Sequence, residues 1–574
     1  MHRDMLLQIE EIWGQDMYGL AVYATWKLSY DQLGSSAKTL LGILSILHHE
    51  GITEEIFKRA SLSPATLDDL DLQIQMNKLL SDVGKKNSNW DSLLFQELMG
   101  DIKSYSLIEF DKQNQLYSIH PLVQHWIIST VNKKQKDIQK CVLGIIGISM
   151  SLNVNSDDYK YRQTLVPHIR SSIGGLKPEE IDVLIAQNIA YAYREAGQWK
   201  EAEALQLVVI EKKMHALGKE HSDTLTSISN LALTYWDMGR WKEAEALQVA
   251  VMEKRMHALG EEHPDTLTSM SNLAVTYQGM GRWKEAEALQ GMVTENRMHT
   301  LGEEHLDTMT SMSNLALTYQ NMGRWKEAEV LQVVVIEKRM HALGEEHPDT
   351  LTSMSNLAVT YWAQGQWKEA EALQIVVMEK IKYSLGEEHP DTLKIIANLA
   401  ETYRKQGQWK EAEALQMVVM EKRMHTFGDG HPDTLTSMSN LAGIYHDQGK
   451  WKEAEALDLV VMEKRKHTLG EEHPDTLRIM SNLAGTYYAQ GQWKEAEALQ
   501  VVMMEKTKHL LREEHPALRT MENLVETHRE QGQWKEAMAL EEKRKHFMID
   551  KFGMKQFLIE SNLNIFLNDI YLFL

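Results

Sequence analysis

Along most of the chain, apolar residues return at intervals of three and four, the spacing that gathers them on one face of an α-helix. In one stretch Leu267, Met270, Leu273, Ala274 and Tyr277 form such a face, with Thr268, Ser271, Val275 and Gln278 beside it. Gly281 breaks the pattern. Trp283 then opens a second amphipathic run through Ala286 and Leu289 to Met298, closing at Leu301-Gly302, where a glycine suits a helix C-cap. His305-Leu306-Asp307-Thr308, which reads His-Pro-Asp-Thr in most other copies, restarts the first pattern. Proline suits a first helical turn, and Asp or Thr is expected to cap the free N–H groups. The pattern predicts a helical hairpin whose second helix is the longer.

The hairpin repeats. Trp199, Trp241, Trp283, Trp325, Trp367, Trp409, Trp451 and Trp493 stand 42 residues apart, Trp534 follows after 41, and an asparagine precedes each by eleven, from Asn188 to Asn523. A period of this length marks stacked units, none of which can bury its apolar face alone. Asn356-Leu357-Ala358, Tyr361, Gly365, Trp367 and Ala370 resemble the tetratricopeptide signature. The Leu-Gly-Glu-Glu-His-Pro-Asp-Thr linker is similar to that of kinesin light chains and of fungal repeat proteins like them. The resemblance spans roughly residues 181–545 and implies an all-α, right-handed superhelical solenoid of about nine helix pairs. Glu522, His528 and Met538 depart from the pattern, so the last copy reads as a capping unit. Residues 546–574, with Phe557-Leu558-Ile559 and Tyr571-Leu572-Phe573-Leu574, have lost the period and are expected to form an apolar tail or capping helix.

Residues 21–130 lack the period and mix helical patterns with a short alternating stretch at Leu116 to Ile119. The strings Thr25-Trp26-Lys27-Leu28-Ser29-Tyr30-Asp31-Gln32-Leu33, Leu41-Gly42-Ile43-Leu44-Ser45-Ile46-Leu47 and Tyr105-Ser106-Leu107-Ile108 resemble the winged-helix end of an NB-ARC signalling NTPase. Ile119-His120-Pro121-Leu122 follows where that family carries a Met-His-Asp-like motif, and the resemblance makes His120 the vestigial nucleotide-contacting position. Pro121 departs from the family form. The expected organisation is a small winged-helix-like α(+β) domain over 1–132, a helical connector over 133–180, repeats over 181–545 and a tail over 546–574.

Composition narrows the function classes. Hydrophobic residues make up 43% of the 574 and charged residues 25%, a balance for folding rather than disorder. The formal charge of −21 argues against nucleic acid as a partner. Much of the acidity is periodic, as in Glu261-Glu262 and Glu345-Glu346, and is expected in solvated loops. A single cysteine, Cys141, leaves no disulfide framework or thiolate cluster and points to the cytoplasm. Met1 to Trp13 carries Glu10 and Glu11 and does not read as a secretory signal. No membrane span is expected, because even the tail is interrupted by Asn562, Asn564, Asn568 and Asp569.

Catalytic chemistry is not expected. No G-x-x-x-x-G-K-[ST] loop occurs; Gly84-Lys85-Lys86 and Gly218-Lys219-Glu220 lack the upstream glycine and the hydroxyl residue, so no nucleotide cofactor is expected. Histidines such as His257 and His263 stand six apart, the wrong spacing for one helix face, and no metal site is expected. The Lys-Glu-Ala-Glu-Ala carboxylates have no partner that would tune them for acid–base work. Met252 and Met256 are expected in the inter-helix core.

The near-identical copies show which positions vary. Directly after the tyrosine come Trp236, Gln278, Gln320, Trp362, Arg404, His446 and Tyr488. Three residues earlier come Leu233, Val275, Leu317, Val359, Glu401, Gly443 and Gly485, on the same helix face. In tetratricopeptide proteins that face lines a concave groove, so the resemblance implies a protein or peptide ligand held there. The ladder Asn230, Asn272, Asn314, Asn356, Asn398, Asn440 and Asn482 would either clamp a ligand backbone or pin helix to helix, and its constancy favours the pin. The expected function is the ligand-sensing scaffold of an NB-ARC-like protein, with an NTPase module as a further partner. The alternative is a kinesin-light-chain-like cargo adaptor, although no heptads precede the repeats.

Overall fold

The computed structural model describes residues 17–86, 89–130, 135–152, 156–507 and 516–552. Met1 to Trp13, and the expected tail beyond Phe552, lie outside them. The chain parts into two compact units at Thr234 and Tyr235.

The first unit begins with helices Met17–Gln32, Ser35–Leu44, Glu54–Leu62, Leu70–Val83 and Ser92–Ser104. Two short antiparallel ladders accompany them: Lys85–Lys86 with Asn89–Trp90, and Glu109–Asp111 with Leu116–Ser118, which Tyr117 bridges to Ile52. Gly84, at φ +153°, leaves the space that the Trp90 ring fills, since a Cβ there would stand 2.8 Å from the indole. Helices Pro121–Thr130, Gln135–Ser149, Ser156–Ile173, Val183–Glu195 and Trp199–Leu217 follow. One core runs from Leu33 to Val209, so Val142, Ile146, Leu165 and Ile169 of the segment expected as a connector are as deeply buried as Phe57 and Phe95. Arg162, 1% exposed, is held by Glu195 through paired bonds of 2.7 and 2.8 Å, which compensates burial of the charge.

The second unit is a run of the predicted hairpins. A representative pair is Pro348–Ala363 and Trp367–Leu385. Ala358 and Ala370 are fully buried where the two helices cross, and Ala316 and Ala328 do the same one unit earlier. Gly365 at φ +78° and Gly386 at φ +86° end the two helices, in a backbone region that other residues avoid.

Each joint between units is polar as well as apolar. Buried glutamines accept from threonines of the next first helix: Thr276 Oγ1 to Gln248 Oε1 at 2.6 Å, Thr360 to Gln332 at 2.6 Å and Thr402 to Gln374 at 2.8 Å. The periodic acids lie exposed in the loops, as expected, and several are also paired: Lys338 holds both Glu303 and Glu304, and Lys380, Lys422 and Lys506 hold Glu345, Glu387 and Glu471.

Helix initiation corrects the sequence expectation. The cap is the linker histidine rather than Asp or Thr: Nδ1 of His263, His305, His347, His389, His431 and His473 accepts from the N–H of the aspartate two residues on, at 3.1 to 3.2 Å. Proline at the first helical position presents no N–H, so the imidazole serves the next one. The threonine points back instead, Thr350 Oγ1 donating to the Gly344 carbonyl at 2.9 Å. The methionine expectation holds only in part: Met252 and Met256 are half-buried, Met252 against a core cluster, but Met298, Met340 and Met424, which repeat the Met256 position, are more than a third exposed.

Candidate functional site

In the second unit successive first helices approach one another more closely than successive second helices do, which puts the first helices on the inner radius. The variable row lies on them, and most of its members reach into the following unit. Gln278 Nε2 donates to Thr318 Oγ1 at 2.7 Å. Gln320 donates to Thr360 Oγ1 and, at 3.1 Å, to the Asn356 carbonyl. Trp236 lies against Gly279, where a Cβ would stand 2.9 Å from the indole nitrogen. Lys405 sits over the Trp362 ring at 5.8 Å. Arg404 donates to Asp447 at 2.5 Å and to Glu401 at 3.1 Å, and its guanidinium fills the space left by Gly443, 3.1 Å from where a Cβ would be. Burial works against the Arg404 charge, but Asp447 and Glu401 more than offset it and raise its pKa. His446 lies 3.5 Å from Asp447, and burial and the nearby Glu530 raise the Tyr488 pKa.

The residues left open on this face are Val275, Leu317, Val359 and Gly485 one turn earlier, and the later asparagines from Asn356 on. Val359 is 37% exposed, and Val275 and Leu317 are half-buried beside it, while Gly485 has open space around it. Asn314 Nδ2 makes one long bond, 3.5 Å, to Ser271 Oγ. The amides of Asn356, Asn398, Asn440 and Asn482 make no side-chain hydrogen bond to the protein, and those of the first three are half-buried.

In the first unit, Leu233 and Asn230 are half-buried on the first helix of the second repeat. Here the sequence reading missed Tyr191 and Arg194, which stand at the offsets of Leu233 and Trp236 one period earlier. With Leu152, Gln206, Ser227 and Asn230 they line a cavity of about 170 Å³. Leu152 follows Ser151, whose carbonyl Arg162 Nη1 holds at 2.6 Å, and the Arg162 guanidinium lies 5.2 Å over the Tyr191 ring.

The remaining candidates have structural partners. His120 is exposed and caps its helix as the linker histidines do, Nδ1 accepting from Leu122 N at 3.2 Å. The second carboxylate of the Lys-Glu-Ala-Glu-Ala stretch ties units together: Arg282 holds Glu245 at 2.5 Å, and Gln406 donates to Glu371 at 2.9 Å. Among the described residues no group of three or more His, Cys, Asp or Glu is placed to hold a metal, and no helix is long and apolar enough to cross a membrane.

The tetratricopeptide repeat family model matches residues 182–253, 223–299, 265–337, 307–379, 391–465 and 433–500, together more than half of the chain. The chain belongs to the tetratricopeptide repeat family. A second tetratricopeptide model matches residues 518–543, and residues 28–136 match a domain of unknown function, DUF7779. No curated protein matches the chain. Among solved structures, the chain is similar to the nearly identical TPR-like repeats of a kinesin light chain from Podosopora anserina, with 34% identity over 36% of this chain and 97% of that one, TM-score 0.32. It is also similar to BtubC from P. vanneervenii, with 20% identity over 41% of this chain and 92% of that one, TM-score 0.33. A signal-transduction ATPase with a tetratricopeptide repeat sensor from Pyrococcus horikoshii is 13% identical, over 90% of this chain and 66% of that one, TM-score 0.37.

Proposed function

We propose that the inner face of the repeats holds an extended segment of another protein, and that binding rather than catalysis is the activity. The observation that carries this is the row of asparagine amides, Asn356, Asn398 and Asn440, which have no partner of their own and repeat once per unit on the inner helices. An amide presents a donor and an acceptor together, the pair that a peptide backbone needs. Exposed Val359 beside them supplies an apolar contact. The amides thus favour the clamp over the helix pin.

The finer reading is the ligand-sensing portion of an NB-ARC-like signalling protein. The N-terminal strings and the Glu109–Ser118 hairpin bridged to Ile52 support it. In that setting an NTPase module would be the further partner and the cytoplasm the place of work. His120 would be the vestigial nucleotide-contacting residue, now a helix cap. The repeat linker supports the alternative, a kinesin-light-chain-like cargo adaptor.

The test is selection of peptides from a random display library on the purified chain, followed by hydrogen-exchange mapping of a selected peptide. Protection confined to first helices is expected. Protection confined to the second helices, or a library that yields no binder, would overturn the reading.

A further inference from the structure

In the second unit the solenoid touches itself. Gly239 ends the turn after a first helix, and a Cβ there would stand 2.9 Å from His473 Cδ2, 3.0 Å from Nε2 and 3.3 Å from Pro474 Cδ. The two loops are in contact, with no room for even a methyl group. His473 Nε2 is sealed from solvent, and burial holds its imidazole below the ordinary histidine range. The edge that carries the turns within hairpins therefore packs on the edge that carries the linkers between hairpins.

Because the units are near copies, each carries both halves of this contact, and most halves are unused. Gly323, Gly365, Gly407, Gly449 and Gly491 make the same positive-φ turn with nothing within 4 Å of where a Cβ would be. On the linker edge, the side chains of His305 and His347 remain 46% and 39% exposed. Charge adds a direction. Where Lys338 neutralises Glu303 and Glu304, the corresponding residue one unit earlier is Asn296, so Glu261 and Glu262 stand exposed without a cation. The turn edge offers exposed Lys410, Lys452 and Lys494, each followed by an exposed glutamate, at the N-terminal ends of second helices, where the helix dipole favours an acidic partner.

We propose that a second copy of this chain docks its linker edge, around Glu261, Glu262, His305 and His347, on the free turn edge at Gly407, Gly449 and Gly491, repeating between molecules the Gly239–His473 contact. Such an interface joins two different surfaces, so each copy keeps one edge free to take up a further copy. It uses the edges of the repeats and is independent of the inner-face reading.

The test is sedimentation velocity of the full chain over a hundredfold range of concentration, at low and high salt. Concentration-dependent association that weakens with salt is expected. The double substitution Glu261→Lys/Glu262→Lys should weaken association by about tenfold or more, while Glu379→Lys on the outer face of a second helix leaves it within about twofold. Circular dichroism of each variant checks that folding is retained. A chain that stays monomeric throughout, or association that the two variants weaken equally, would overturn the proposal.

Discussion

Arg339 Nη1 donates to Ser353 Oγ at 2.7 Å across the joint between one unit's second helix and the next unit's first. Arg255 with Ser269, Arg297 with Ser311 and Arg423 with Ser437 make the same bond at 3.0, 2.8 and 2.9 Å. In the remaining unit between them the arginine is Ile381 and the serine is Ile395, both buried in one apolar cluster. In that unit both positions have changed, whereas two units further on Arg465 is kept opposite Ile479 and donates to the Asp475 carbonyl at 3.1 Å and to Thr436 Oγ1 at 3.0 Å instead.

Ser353→Ile alone should destabilise the array by about 1 kcal/mol, because the Arg339 guanidinium loses one acceptor while it keeps the Asp349 carbonyl and Thr310 Oγ1. Adding Arg339→Ile should recover most of that loss, giving a coupling energy of about 1 kcal/mol or more in a double-mutant cycle. Thermal melts of the wild type, both single variants and the double variant check it; simple additivity would mean that the pair is not a unit.

Asp458 stands where other units carry the buried glutamine, and it is 2% exposed. Burial pushes its carboxyl up to about 7, against a weak pull from Arg478. A raised folded-state pKa means that the stability tied to the neutral acid is complete below the unfolded pKa near 4 and is lost as pH rises through about 7. Asp458→Gln should therefore stabilise the second unit at pH 8, by about 2–4 kcal/mol, and much less at pH 4. Melting temperatures at the two pH values decide it, and an equal gain at both would contradict the assignment.

His168 works in the opposite direction in the first unit. Its Nδ1 accepts from His48 N at 3.1 Å and its Nε2 faces the Gly51 carbonyl at 3.1 Å, an arrangement that fits the neutral ring. Burial first, then the nearby His48, lowers its pKa to about 4, despite the Gly51 bond. The stabilising contribution is present above the unfolded pKa near 6.5 and disappears as pH falls through about 4. His168→Gln keeps an acceptor and a donor but does not titrate, so the loss of stability between pH 7 and pH 4 should be smaller in the variant. Melts across that range test it.

The hairpin, its boundaries and its stacking were legible because Trp, Ala and Gly recur in register, and repetition separates a required residue from an incidental one. The histidine cap was not legible, since Ser, Thr, Asp and Asn usually fill that role and the adjacent aspartate looked sufficient. Nor did the variable row announce its partners: Arg404 reads as a free basic residue until the fold brings Asp447 from the next unit against it. The core from Leu33 to Val209 was hidden for a related reason, because its contacts join segments that share no period. Ile381 with Ile395 did leave a trace in the sequence, as two departures from consensus in the same joint.

The most direct measurement is the affinity of one display-selected peptide, followed by fluorescence anisotropy, for the wild-type chain and two variants. Asn356→Ala/Asn398→Ala removes two inner-face amides, and Val376→Asp alters an outer-face residue that is 40% exposed. The inner-face pair is expected to weaken binding by about tenfold or more, while the outer-face change leaves it within about twofold. Equal losses, or a loss only with Val376→Asp, would place the ligand elsewhere and contradict binding on the inner face.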